Sequence, residues 1–214
     1  QDATGRAFER VVALGIAVSR LADHLDAHRE ANLADVAWTL AVGRKAYAHR
    51  IRGLEWMSEE TKKVALEKLS TFNPKIGYPD KWKDYSNLEV KAGDAFGNAV
   101  RARVFAWNYD LNRLGKPTDR DEWFLTPQTV NAYYNPTFNE IVFPAAILQA
   151  PYFDPNADMA INYGGIGGVI GHEMGHGFDD QGSKSDAQGV LRTWWKPEDE
   201  KAFKTLVDGI VEQY

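Results

Sequence analysis

The run His172-Glu173-Met174-Gly175-His176 constrains this chain more than any other stretch, because its two histidines can share a task only if it is helical. Side chains four apart on an α-helix stand on one face, one turn above each other. Both imidazoles then reach a single metal ion, and Glu173, directly after the first, addresses a water on that metal. Two neutral nitrogen ligands, a carboxylate base and an open coordination position are what a zinc hydrolase requires. The competing reading is a helix that happens to carry two surface histidines, and the flanks argue against it. Seven glycines fall between Gly164 and Gly177, each costing a helix interior about 1 kcal/mol relative to alanine. An exposed helix gains nothing in return. The expectation is a buried helix, apolar along Ile166, Val169 and Ile170, whose glycines let neighbouring backbone approach.

The rest of the composition narrows the partners. With 25 basic and 30 acidic residues the net charge is −5, both signs are interspersed, and nothing points to nucleic acid. There is no cysteine, which excludes disulfides and cysteine-based zinc or nucleophile chemistry. No stretch approaches the apolar length of a membrane span, and no basic-then-apolar signal peptide opens the chain. At 214 residues with 44% hydrophobic content, it can bury a substantial core.

The first half reads as helical. Val11, Val12, Leu14, Val18, Leu21 and Leu25 recur at helical spacing from Phe8, and a second helix is expected from Leu33 to about Ile51. Ser58-Glu59-Glu60 is a capped, acidic helix start, with Thr61, Val64, Ala65 and Leu69 on one face and Asn73-Pro74 as its stop. Gly77-Tyr78-Pro79-Asp80 is turn-like. Asp94 is placed to cap a long helix through Phe96, Val100, Val104, Trp107, Leu111 and Leu114, ended by Gly115-Lys116-Pro117. The aromatic residues of these segments are expected in the core. After Thr126-Pro127 the pattern becomes short strands, Thr129–Tyr134 and Glu140–Phe143, around the turn Asn135-Pro136-Thr137. Gly182 to Gly189 reads as a polar loop. Pro197 opens a final helix whose buried face would be Phe203, Leu206, Val207 and Ile210. The expected divisions are a helical N-terminal segment 1–50, a helical part 51–125 and a catalytic portion 126–214.

Several longer runs carry a resemblance. Val130-Asn131-Ala132-Tyr133-Tyr134-Asn135, Ile141–Gln149, Asn162–Gly167 and Val169–Asp180, with Trp56–Lys62 and Ile76-Gly77-Tyr78-Pro79 upstream, resemble the neprilysin (M13) family of zinc metallopeptidases over roughly residues 51–214. The resemblance implies an α+β, mostly helical, zincin-like catalytic portion with a small sheet. It implies hydrolysis of peptide bonds in oligopeptides with one Zn²⁺, His172 and His176 as metal ligands and Glu173 as the general base. Asn131 and Ala132 match the family's Asn-Ala-Tyr edge strand, which holds the substrate; read alone, Asn131 is a turn or strand-end residue. An exposed strand edge does offer unpaired N–H and C=O groups to an extended peptide. Asp179, one turn past His176, either accepts a hydrogen bond from a ligand imidazole or ends the helix as a solvated acid. The lack of cysteine looks like the bacterial oligopeptidase branch, and periplasmic or extracytoplasmic location is what the resemblance implies.

Two features depart from the family pattern. The family's third zinc ligand is a glutamate in a Glu-Asn-x-x-Asp helix that would fall beyond Tyr214, so a portion truncated at its C-terminus is expected. The alternative is a catalytically silent zinc-binding or interaction module. Residues 33–50 are similar to the linker that follows acyltransferase domains in modular polyketide synthases, so the origin of residues 1–50 stands apart in this reading. His24, His28 and His49 belong there and are expected on the surface.

Overall fold

The structure, a computed structural model, describes residues 35–213. The helix expected from Phe8 to Leu25 lies outside the described residues, as do His24 and His28. The described residues divide into two compact units: one contains Pro79–Phe124, the other residues 35–78 and 125–213.

The second unit holds the motif. Helix α1 runs through residues 35–52 and buries Val36, Leu40 and Ile51. Helix α2 (Glu59–Ser70) starts where Ser58 accepts the amide of Thr61, with Glu59 and Glu60 at its positive end. Its buried face is Thr61, Ala65, Lys68 and Leu69, so a lysine occupies a core position and Val64 is only half-buried. Arg44 reaches from α1 and donates to the carbonyls of Leu69 and Ser70 at the end of α2 and of Phe72 just beyond it.

Three strands follow in the spatial order β1-β3-β2. β1 (Asn73–Gly77) pairs parallel with β3 (Glu140–Pro144), and β2 (Tyr133–Asn135) pairs antiparallel with β3, Tyr133 opposite Val142. All of β3 is buried, as a central strand covered on both faces should be. The sequence reading had Asn73-Pro74 only as a helix stop. Proline at the second position of an edge strand is nonetheless compatible with pairing on one side, and parallel pairing to a strand far along the chain leaves no local signature. The strand expected over Thr129–Tyr134 also starts later, at Tyr133. The amide of Asn131 bonds to Thr129 O, and that of Ala132 to the Asn131 side chain, local bonds that compete with a ladder.

Helices α4 (Met159–Gly164) and α5 (Ile166–Gly175) meet at Gly165, and Asn162 ties the preceding loop by exchanging two bonds with the backbone of Asp154. α1 crosses α5 at Gly43, which lies against Met174 and Ile170, and the Tyr47 hydroxyl donates to Gly171 O at 2.6 Å. Helix α6 (Pro197–Val211) is anchored at its first turn: Asp199 is buried on Ser58 and Thr61, while Phe203 packs on Trp56 and Trp195. The expectation for its further face is corrected, since Leu206, Val207 and Ile210 are exposed.

In the other unit, helix α3 (Ala95–Leu111) is capped by Asp94, whose carboxylate accepts from Gly97. It stops at Leu111, short of Leu114, and a turn then reaches Gly115 at φ +73°. Phe96, Val100, Val104, Trp107 and Leu111 form the expected stripe but are exposed rather than core, as are Trp82 and Tyr85. No helix among the described residues is long and apolar enough to cross a membrane.

Candidate metal centre

His172 and Glu173 lie within α5, and His176 stands at its C-cap with φ −58° and ψ −24°, still right-handed helical. Its amide bonds to His172 O at 3.2 Å, so the four-residue stacking survives the helix end. The two rings are nearly perpendicular, with centroids 4.5 Å apart. Their Nε2 atoms approach to 3.1 Å. Two nitrogens each about 2.0–2.1 Å from a tetrahedral zinc lie about 3.3 Å apart, so the pair fits one ion with little adjustment. The same gap suits one N–H···N bond between the rings.

The Nδ1 side of His176 is held by Asp179 Oδ2 at 2.9 Å. The other carboxylate oxygen accepts from the amides of Gln181 and Gly182 at 2.9 and 2.8 Å. Asp179 is therefore pinned by a turn and orients the ring so that Nε2 faces His172, the arrangement by which a metal-binding histidine is fixed. Gly182 is required here: a Cβ would lie 2.3 Å from His176 O.

Glu173 is buried. Burial pushes its carboxyl above the usual range, against the pull of His172, His176 and the backbone amide of Tyr134. Tyr134 belongs to β2, against which α5 packs. Asn131 and Ala132 precede this strand in line, Asn131 exposed and Ala132 buried. His49 is exposed.

The glycine expectation holds at some positions only. A Cβ at Gly165 would meet Tyr152 O at 2.4 Å and one at Gly177 the Phe72 ring at 2.6 Å, whereas Gly164, Gly168 and Gly171 face open space. Sequence reasoning missed Lys68, whose ammonium donates to Gly182 O and Ser185 O behind Asp179. Burial pulls its pKa down to about 8, opposed by the charges of Asp179 and Asp186. Its signal was its place in the Thr61–Ala65–Leu69 face. Among the described residues no group of three His, Cys, Asp or Glu side chains is close enough to hold a metal. A cavity of about 990 Å³ in the Pro79–Phe124 unit, with Trp82, Tyr85 and Tyr109 among its walls, is lined by none of the motif residues.

Comparison with known proteins gives a consistent relationship. Two family models, both described as peptidase family M13, match residues 9–79 and 131–214, together well over half of the chain. The first of these matches runs through residue 50 without a break, so the helix that resembles a synthase linker falls within the peptidase match. Human endothelin-converting enzyme 1 is 46% identical over 178 residues, 80% of this chain and 23% of that protein. The crystal structure of the Mycobacterium tuberculosis zinc metalloprotease Zmp1 with an inhibitor superposes with a TM-score of 0.82 at 51% identity, over 86% of this chain and 28% of that one. PepO from Lactobacillus rhamnosis gives 0.78 at 36% identity, over 85% and 29%. The chain thus spans about a quarter of the length of the curated relatives it matches.

Proposed function

This chain belongs to peptidase family M13, and from that premise we propose that it carries the His-Glu-x-x-His portion of a zinc-dependent peptidase acting on oligopeptides. The observation that supports this most is the 3.1 Å approach of His172 Nε2 to His176 Nε2 beside a buried carboxylate. His172 and His176 would hold one zinc ion, and Asp179 fixes the ring of His176. Bound there, zinc supplies a Lewis acid that polarises a carbonyl and lowers the pKa of a water toward about 7. Glu173, buried beside the two imidazoles, takes a proton from the attacking water and returns it to the nitrogen released when the C–N bond breaks. An extended peptide lies along the β2 edge beside Asn131 and Ala132, where main-chain groups can pair with it.

The test is cleavage of an internally quenched oligopeptide by the zinc-loaded protein, with zinc binding measured in parallel. Glu173→Gln is expected to lower turnover by at least about 100-fold while zinc remains bound, and a chelator abolishes cleavage. Chelator-insensitive cleavage, or Glu173→Gln as active as the parent, overturns the proposal. A second reading draws on the pair of histidines having no third His, Cys, Asp or Glu partner among the described residues. It is a zinc-binding module without turnover, and it predicts metal binding with no cleavage at any zinc concentration.

A further inference from the structure

Lys68 is a lysine sealed where an apolar residue would serve packing better. It is 0% exposed on α2, and burying an ammonium opposes folding unless the charge does something specific. Its Nζ donates to Gly182 O at 2.7 Å and Ser185 O at 2.6 Å, and lies 5.4 Å from the Trp194 ring and 5.7 Å from the Tyr134 ring. We propose that Lys68 is a positioning residue for the metal centre, fixing the Gly182–Ser185 turn that locks Asp179 and, through it, the ring of His176. The proposal rests on the reading of His172 and His176 as ligands.

The connection is continuous. The peptide group whose carbonyl accepts from Lys68 is the one between Gly182 and Ser183, and its N–H, that of Ser183, donates to Asp179 O at 2.9 Å. The adjoining amides of Gln181 and Gly182 grip Asp179 Oδ1, leaving Oδ2 for His176 Nδ1. Hydrogen bonds in series through a peptide group polarise one another, so an ammonium at one end strengthens the donor at the other. Trp194 Nε1 donates to the same carbonyl at 2.9 Å and holds the turn from a second side. The turn is also packed directly on the His176 backbone at Gly182. A displaced turn therefore moves both the carboxylate that orients the ligand ring and the ligand's own main chain.

The 214-residue chain carrying Lys68→Met, Asp179→Ala or both is titrated with Zn²⁺ against a chromophoric chelator, and ring-¹⁵N shifts of His172 and His176 are recorded without metal. Lys68→Met is expected to weaken zinc binding about tenfold and to turn the single His176 tautomer into a mixture. In the Asp179→Ala background it should add less than about a twofold loss, since both act on one pathway. An unchanged affinity and an unchanged His176 ring overturn the proposal, as does an equal loss in the Asp179→Ala background, which marks general destabilisation. Should Lys68→Met fail to fold, the parent decides: zinc must shift the Lys68 side-chain ¹⁵N resonance, and a fixed resonance refutes the coupling. A parent that binds no zinc refutes the metal reading itself. Zinc binding in the parent with an indifferent Lys68→Met refutes this inference alone.

Discussion

A single methyl group at residue 182 probes how the metal ligand is held. In Gly182→Ala the new Cβ would sit 2.3 Å from His176 O, 2.4 Å from Gly177 C and 2.5 Å from Gly177 O, all backbone atoms that cannot swing aside. Gly182 is not among the positive-φ glycines, so the effect is steric and not one of backbone preference. Ordinary contact begins at 3.4 Å, so the turn must retreat by about 1 Å, an overpacking that by itself costs about 1–3 kcal/mol. The same retreat stretches the bonds from Gln181 and Gly182 to Asp179, now 2.9 and 2.8 Å, beyond hydrogen-bonding distance. Hydrogen bonds to a charged group contribute about 1.5–3 kcal/mol each. Partial relaxation leaves an expected loss of about 3–5 kcal/mol, read from urea midpoints at constant m, and weaker zinc binding with it. Gly168→Ala is the control, because its Cβ meets open space within α5, the helix that carries His172. It should be neutral or stabilising by up to about 1 kcal/mol. A Gly182→Ala chain within about 0.5 kcal/mol of the parent would refute the close approach on which the reasoning depends.

Other perturbations test other parts of the fold. Lys68 titrates near 8 in the folded chain against an ordinary 10.5, so between those pH values the unfolded chain binds more protons and stability rises with pH. Denaturation between pH 7.5 and 10 should show that rise in the parent and lose it in Lys68→Met; parallel profiles would contradict it. Asp199 accepts from Ser58 N, Ser58 Oγ and Thr61 Oγ1 at 2.8, 2.7 and 2.5 Å. Burial raises its pKa, but these bonds outweigh that and hold it below the ordinary 3.8. Its stabilisation is therefore full above that value and fades as pH falls through the depressed folded pKa. Asp199→Ala should cost about 2–3 kcal/mol at pH 7 by urea denaturation, and an unchanged midpoint would exclude Asp199 as the tie between α6 and α2. Asp179→Ala should weaken zinc binding about 10–100-fold with little change in Glu173, measured by competition titration; unaltered affinity would return Asp179 to the role of a solvated helix-end acid.

Much of the site was legible because its spacing is local. The four-residue interval of His172 and His176, the Ser58 cap and the Asp94 cap each depend on contacts within one helical turn, and each forms as read. The edge strand was legible in part: of the strand expected over Thr129–Tyr134 only Tyr133 and Tyr134 pair, with Asn135 from the expected turn, and the ladder excludes Asn131 and Ala132 because nearer bonds capture their amides. β1 escaped notice because Asn73-Pro74 carries a stop signal, and its partner β3 is more than sixty residues away. The stripes of α3 and α6 show the reverse failure. Their periodicity correctly marks helices, yet Phe96, Trp107, Leu206 and Ile210 are exposed, since a period says which residues share a face and not what covers it.

By itself the sequence determined a helix bearing two imidazoles and a carboxylate at a spacing that suits one metal ion, together with the family in which that spacing occurs. Only the tertiary structure decided how those groups are held. The turn on Asp179 and the Lys68 ammonium behind it come from different elements, Lys68 and Gly182 being 114 residues apart. Side-chain identity and short-range periodicity are written along the chain. The partners of a buried charge are fixed only when packing excludes water and leaves particular carbonyls and amides within reach.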